Sequence, residues 1–413
     1  MQNLLRRREI FTLGVAALAT GCGGGGSSGS AGPFESPVTP PPTQPPATTP
    51  SALTVVNGVQ TVTKTPGATL DVFANADPTG QVFDKWAGST AVLLNASERL
   101  SGTLAPTSNS SITATYKPLA QFIPQSAVLN GVSASSANAV NAYWYFSAPL
   151  PRGVIFRSHG AGGNGLTQFT KTEELKFARD AVADGYAVVS LDSNDRVNKT
   201  WDGTVNQNNP TANVDAANIQ ALIALLTSQG LMSAMTPKFA SGHSAGAGNA
   251  LRIAYLLNWK ASHQHCVPGT TQIANTTTVP GIWTMAQNDT REDPKRNADA
   301  LTNSNALSAR GVATTYIVVS PSAVYPSRFT QIVGLSASDS TAIYTGLKTA
   351  NLLDANDYQL TDPNDVNLTP VLPPTYSAFA KDIQDLLFVA YAAHQFSSAT
   401  SRRVLAFFGA RLA

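Results

Sequence analysis

Residues 237–241, Pro-Lys-Phe-Ala-Ser, run straight into Gly242-His243-Ser244-Ala245-Gly246, and the segment 250–257, Ala-Leu-Arg-Ile-Ala-Tyr-Leu-Leu, follows with helical periodicity. A strand, a sharp turn and a helix with a serine at the apex leave few geometries open. The flanking glycines let strand and helix approach without a Cβ clash, and the serine Oγ projects above the sheet edge as a nucleophile elbow. The helix N-terminus behind Ser244 favours negative charge developing beside it. A chain that carries this unit needs a sheet with helices packed on it.

The surrounding sequence supplies one. Residues 153–158 and 186–191 read as buried strands, and 173–185 reads as a helix stopped by Gly185. Residues 214–230 form a helix with Ile219, Leu222, Ile223 and Leu226 on one face. Residues 281–289 and 314–320 are further strands. This alternation predicts an α/β fold with a mainly parallel sheet. Hydrophobic residues make up 43%, enough for a large core, and the formal net charge is only +2. That balance argues against a nucleic-acid partner, which needs a basic stripe to displace counterions from phosphate. Charged residues are 13% of the chain, about half the usual share. Two cysteines exclude a disulfide scaffold and a four-cysteine zinc site.

The strand ending at Ser158 runs into His159-Gly160-Ala161-Gly162-Gly163. With the Gly-x-Ser-x-Gly turn, this loop resembles the α/β-hydrolase superfamily, and the resemblance extends over most of residues 121–413. It implies an α/β-hydrolase fold and a Ser-acid-His triad in that chain order. Ser244 is the expected nucleophile. The N–H groups of Ala161 and Ala245 are the expected oxyanion hole, with Gly162 as the alternative, while Gly160, Gly162 and Gly163 permit the turn. His159 is expected to brace the loop. In the superfamily the acid follows a strand, which selects Asp289; Asp293 is second, and either could instead cap the next helix. Of five histidines, only His394 follows that acid, in Ala392-Ala393-His394-Gln395-Phe396 ahead of a terminal helix at 402–408. His394 is therefore the expected base. No metal or organic cofactor is expected. His263 and His265 would share one strand face as two metal ligands, but no third ligand has convincing spacing.

Two departures from a minimal hydrolase are visible. Residues 321–391 form an insertion before His394 that could cap the site, and the loop 192–213, containing Trp201, could form another wall. Residues 52–119 are rich in β-branched residues with Gly, Asn and Pro punctuation and predict a small all-β domain with Phe83 and Trp86 in its core. Its strand candidates are at 53–58, 69–76, 81–88 and 111–117. Their pattern resembles the internalin-type B-repeat of bacterial surface proteins, which implies a spacer or a module for a polymer or cell-surface ligand.

The N-terminus carries Arg6, Arg7 and Arg8 before a short apolar stretch at 10–20. That is a signal-peptide pattern, too short to span a bilayer. Ala19-Thr20-Gly21-Cys22 resembles a bacterial lipobox, which implies lipidation of Cys22 and leaves Cys266 without an intramolecular partner. Arg7-Arg8-Glu9-Ile10-Phe11 also resembles a twin-arginine signal, so Tat and Sec export both stay open. Residues 23–51 are a Gly-, Ser- and Pro-rich tether.

Taken together, the expectation is an exported serine hydrolase of carboxylic esters, held to a membrane by a lipid or secreted, acting on an ester of unknown size. The alternatives are a serine peptidase, an extracellular depolymerase of polyesters such as polyhydroxyalkanoates, and a surface adhesion protein with an inert hydrolase domain. Turnover of simple esters and covalent labelling of Ser244 separate them.

Overall fold

A computed structural model describes residues 51–119, 122–130 and 139–412. The signal segment, Cys22 and the tether up to residue 50 lie outside the described residues. Strands β1 (Leu53–Val56), β2 (Gly58–Val62), β3 (Leu70–Ala74), β4 (Gln81–Gly88), β5 (Leu100–Thr103) and β6 (Ser110–Pro118) form two three-stranded sheets, ordered β1-β6-β4 and β2-β3-β5. Val72 and Ala74 from one sheet join Phe83, Trp86, Ile112 and Ala114 from the other in one buried cluster. The periodicity revealed β1, β3, β4 and β6. It missed β2, which starts directly after the Asn57 bend, and β5, whose Leu-Ser-Gly-Thr sequence carries little strand signal.

Eight further strands make the main sheet: β7 (Gln125–Leu129), β8 (Val140–Tyr145), β9 (Gly153–Ser158), β10 (Tyr186–Leu191), β11 (Lys238–His243), β12 (Ala261–His265), β13 (Gly281–Ala286) and β14 (Thr314–Val319). Their order is β7-β8-β10-β9-β11-β12-β13-β14. Strands β9 to β14 pair in parallel, and β8 is antiparallel to both β7 and β10. The helices are α1 (Thr167–Thr170), α2 (Thr172–Ala183), α3 (Val214–Ser228), α4 (Ala245–Leu256), α5 (Thr271–Thr276), α6 (Arg296–Ser308), α7 (Ala337–Thr349), α8 (Ala380–Tyr391) and α9 (Ser401–Gly409). A mostly parallel sheet flanked by helices is the expected α/β-hydrolase architecture.

The two faces of the sheet follow from side-chain alternation. Val154, Phe156, Val189 and Ala240 pack with Ile219, Leu222 and Leu226 of α3 and Ile253 of α4. Their neighbours Ile155, Val188 and Phe239 pack on the other side with Phe177 and Val182 of α2 and Val404 and Phe408 of α9. Strands buried on both faces read as continuous apolar runs, which is why 153–158 and 186–191 were legible.

The strand order reverses between β9 and β11. From β9 the chain moves outward to β10; from β11 it moves the opposite way to β12. Loops leaving the carboxyl ends of two such neighbours diverge and open a crevice between them. The loop after β9 begins at His159, and the turn after β11 holds Ser244.

Residues 321–391 build their own cluster from Phe329, Ile332, Ile343, Leu347, Ile383 and Leu386. Tyr325 from this segment packs against Phe73 of β3 with the rings tilted and 4.8 Å between centroids, and the Tyr358 hydroxyl donates to the Val62 carbonyl at 3.0 Å. Arg99 on the β unit pairs with Asp77 and with Asp180 of α2. Arg402 of α9 pairs with Asp184 and donates to the Phe83 carbonyl of β4. Pro50–Ala413 accordingly forms one contact unit.

Candidate active site

The turn at Ser244 is shaped by what its neighbours lack. A Cβ on Gly242 would lie 2.0 Å from the Gly246 carbonyl oxygen, and one on Gly246 would lie 2.1 Å from that of Ser158. Only glycine allows that approach. Ser244 itself sits at φ 57° and ψ −129°, a sparsely populated region for a side-chain-bearing residue. Its N–H donates to the His265 carbonyl at 3.0 Å, which ties the turn to β12.

His394 reaches this serine from the far end of the chain. Helix α8 stops at Ala392, which adopts the left-handed conformation, and His394 lies two residues on. His394 Nε2 is 2.8 Å from Ser244 Oγ, and Nδ1 is 2.7 Å from Asp289 Oδ2. Asp289 follows the end of β13 and is 3% exposed. The fold thus brings Ser244, His394 and Asp289 into one hydrogen-bonded chain. Asp293 lies outside it and accepts from the Lys295 N–H at 2.9 Å, capping the turn that leads into α6.

Sequence reasoning missed Arg296. Its Nη1 donates to Asp289 Oδ1 at 2.7 Å and stands 2.8 Å from His394 Nδ1; its Nη2 donates to Glu292 at 3.1 Å. An imidazole nitrogen carries either a hydrogen or a lone pair. If Nε2 accepts from the serine hydroxyl, Nδ1–H donates to Asp289, and the guanidinium then faces Nδ1 as a charge rather than as a bonded donor. Burial works against the charge on Arg296, but its hydrogen bonds to Glu292 and Asp289 and their Coulomb attraction outweigh it and raise its pKa. No motif announces a guanidinium in Glu292-Asp293-Pro294-Lys295-Arg296.

The loop after β9 lies against the nucleophile. A Cβ on Gly160 would come 3.3 Å from Ser244 Cβ. The Gly163 N–H donates to the Gly160 carbonyl at 3.1 Å, closing a turn in which Gly162 holds φ +74°. That is the third position of a type II turn, which favours glycine. Ala161 occupies the second position and is exposed. Ala245 is the first residue of α4, so its N–H has no acceptor within the helix. His159 accepts from the Ser193 N–H at Nε2, 3.1 Å, so its Nδ1–H donates to the Gly160 carbonyl at 2.7 Å. Burial lowers its pKa to about 4. Trp201 donates from Nε1 to the His159 carbonyl at 2.8 Å, which fastens the 192–213 loop to this turn.

His263 and His265 are both committed to structure. His265 Nε2 lies 3.1 Å from the Gln395 carbonyl oxygen and 3.2 Å from the Ser397 nitrogen, and its Nδ1 lies 2.6 Å from Thr284 Oγ1. The Thr284 hydroxyl also lies 2.8 Å from His263 Nε2, and His263 Nδ1 lies 3.0 Å from Ser241 Oγ. This chain runs across β13, β12 and β11 and pins the loop that carries His394. Burial lowers the pKa of His265 to about 3 and places that of His263 well below its ordinary value, so neither imidazole is charged. Cys266 Sγ, a carboxylate oxygen of Asp289 and a ring nitrogen of His394 lie within 4.8 Å of one another. Burial, then the Asp289 charge, hold Cys266 as a thiol, and Arg296 already occupies Asp289, so this set is a poor cation site.

No family model matches the chain, and no curated protein matches it in sequence. Solved structures do match in part. A ferulic acid esterase is 12% identical with a TM-score of 0.37, over 48% of this chain and 89% of its own. A thermostable carboxyl esterase from Bacillus coagulans, in complex with glycerol, is 13% identical with a TM-score of 0.38, over 48% of this chain and 91% of its own. An S-formylglutathione hydrolase from Agrobacterium tumefaciens is 14% identical with a TM-score of 0.35, over 48% of this chain and 86% of its own.

Proposed function

We propose that the chain is a serine hydrolase of carboxylic esters. Ser244 Oγ attacks the ester carbonyl while His394 Nε2 takes its proton. Asp289 orients the imidazole and balances the imidazolium. The N–H groups of Ala161 and Ala245 receive the oxyanion. Collapse of the tetrahedral adduct expels the alcohol, protonated by His394, and leaves an acyl-Ser244; water deprotonated by His394 then releases the acid. The observation that carries this reading is the unbroken contact from Ser244 through His394 to Asp289, with the serine on a strained turn between strand and helix.

The test is turnover of short- and long-chain p-nitrophenyl esters by the wild type and by Ser244→Ala. Loss of one member of such a triad costs on the order of 10⁴-fold or more in kcat. Equal turnover by the variant would sink the proposal. Failure of the wild type on every simple ester, with Ser244 still reactive, would move the peptidase or polyester reading forward. We also propose export and a lipid anchor at Cys22, which rest on the leader sequence. Membrane fractionation of Cys22→Ala tests them, and an unchanged distribution would refute the anchor.

A further inference from the structure

We infer that Arg296 is a positioning residue that sets the acid limit of the proposed hydrolase, keeping His394 available as a base to lower pH than the Asp289 partner alone would allow. The inference rests on the triad reading above. An aspartate hydrogen-bonded to Nδ1 favours the imidazolium, which raises the pH below which the base is already protonated. Here that aspartate is shared. Arg296 takes Asp289 Oδ1 and leaves Oδ2 to His394, so the carboxylate is held in one orientation by a buried guanidinium. The same Nη1 stands 2.8 Å from Nδ1, where its charge opposes a second proton on the ring.

The other groups around His394 do not cancel this effect. From β11, His243 faces it at 5.2 Å between ring centroids; His265 comes from the end of β12, and Cys266 directly follows that strand. Burial keeps both of these imidazoles uncharged and Cys266 protonated. Arg157 is paired with Glu174 behind them, and Lys171 pairs with Asp385. Glu292 bonds the far nitrogen of Arg296 from a largely exposed position, where solvent screens it. The local balance on His394 is therefore one carboxylate against one guanidinium.

The experiment compares kcat/KM against pH for an uncharged ester in the wild type, Arg296→Met, Arg296→Gln and Arg296→Lys. Met and Gln both remove the charge, and Gln retains a donor for Asp289. The acidic limb moves to higher pH in both neutral variants and stays near the wild-type position in Arg296→Lys. Because Arg296 bonds Asp289 and Glu292 and stands on the Nδ1 side of His394, away from Ser244, KM is expected unchanged while plateau kcat falls. An NMR titration of the His394 ring in the same proteins reads the shift without turnover. His394 titrating at the same pH in wild type and in either folded neutral variant would overturn the inference. A shifted titration in a protein that hydrolyses no ester would uphold it and defeat the esterase reading instead.

Discussion

At Ser244, Gly242 and Gly246 the residue types are dictated by contact distances. Both glycines are tight constraints, because the atom that a Cβ would strike at either is a backbone carbonyl oxygen with no rotamer to relieve it. Gly246→Ala should destabilise the fold by about 3 kcal/mol and displace Ser244, with loss of ester turnover. A denaturant melt and an activity assay check this; wild-type values in both would contradict the account. These constraints were legible because they sit in contiguous sequence. Ser244, Asp289 and His394 could be named for a related reason: chain order and strand ends restrict the candidates to very few. Arg296 could not. Its position depends on the chain turning back after β13 so that α6 begins beside Asp289, and nothing in the local sequence marks that return.

Among the elements, strands with continuous apolar runs such as β9 and β10 and alternating strands such as β1 and β6 were readable. Strand β7 has only Leu129 buried and escaped notice. Helix α8 was missed despite a clear signal, with Ile383, Leu386, Leu387 and Ala390 buried at helical spacing. Helix α7 starts earlier than its apolar residues suggest because Ser336 and Asp339 form a capping box. Helix α2 is joined to the segment before α9 by Glu173, which pairs with Lys176 and accepts from the N–H and hydroxyl of Ser398. Burial alone would raise the Glu173 pKa, but Lys176 and Ser398 overrule it and bring it to about 2. The folded value lies below the unfolded one, so this contribution is complete above about pH 4.5 and is lost as pH falls towards 2. Its size is on the order of 3 kcal/mol. Glu173→Gln should therefore be less stable at neutral pH and lose less stability on acidification. Urea melts between pH 2 and 7 test this, and parallel curves for the two proteins would rule it out.

For the molecule as a whole, the β unit and the α/β body are joined by buried charge rather than by a tether. Arg402 links α9 to Asp184 and to the backbone of β4, and Arg403 donates to the buried Glu98 at 3.1 Å. The sequence divided residues 52–119 from the α/β body by texture, but texture carries no information about which surfaces later meet. Arg402 is buried while the Asp184 side chain is 26% exposed, so loss of the arginine costs less than the roughly 3–5 kcal/mol typical of a fully buried pair. Arg402→Ala should lower the melting temperature of one common transition, followed by calorimetry; two independent transitions in the wild type would contradict the joint. A fluorophosphonate probe with peptide mapping asks whether Ser244 is an activated nucleophile. One adduct is expected, on Ser244, absent in His394→Ala and in protein inactivated by prior acylation. No adduct on the folded wild type, or equal labelling of the histidine variant, would contradict it.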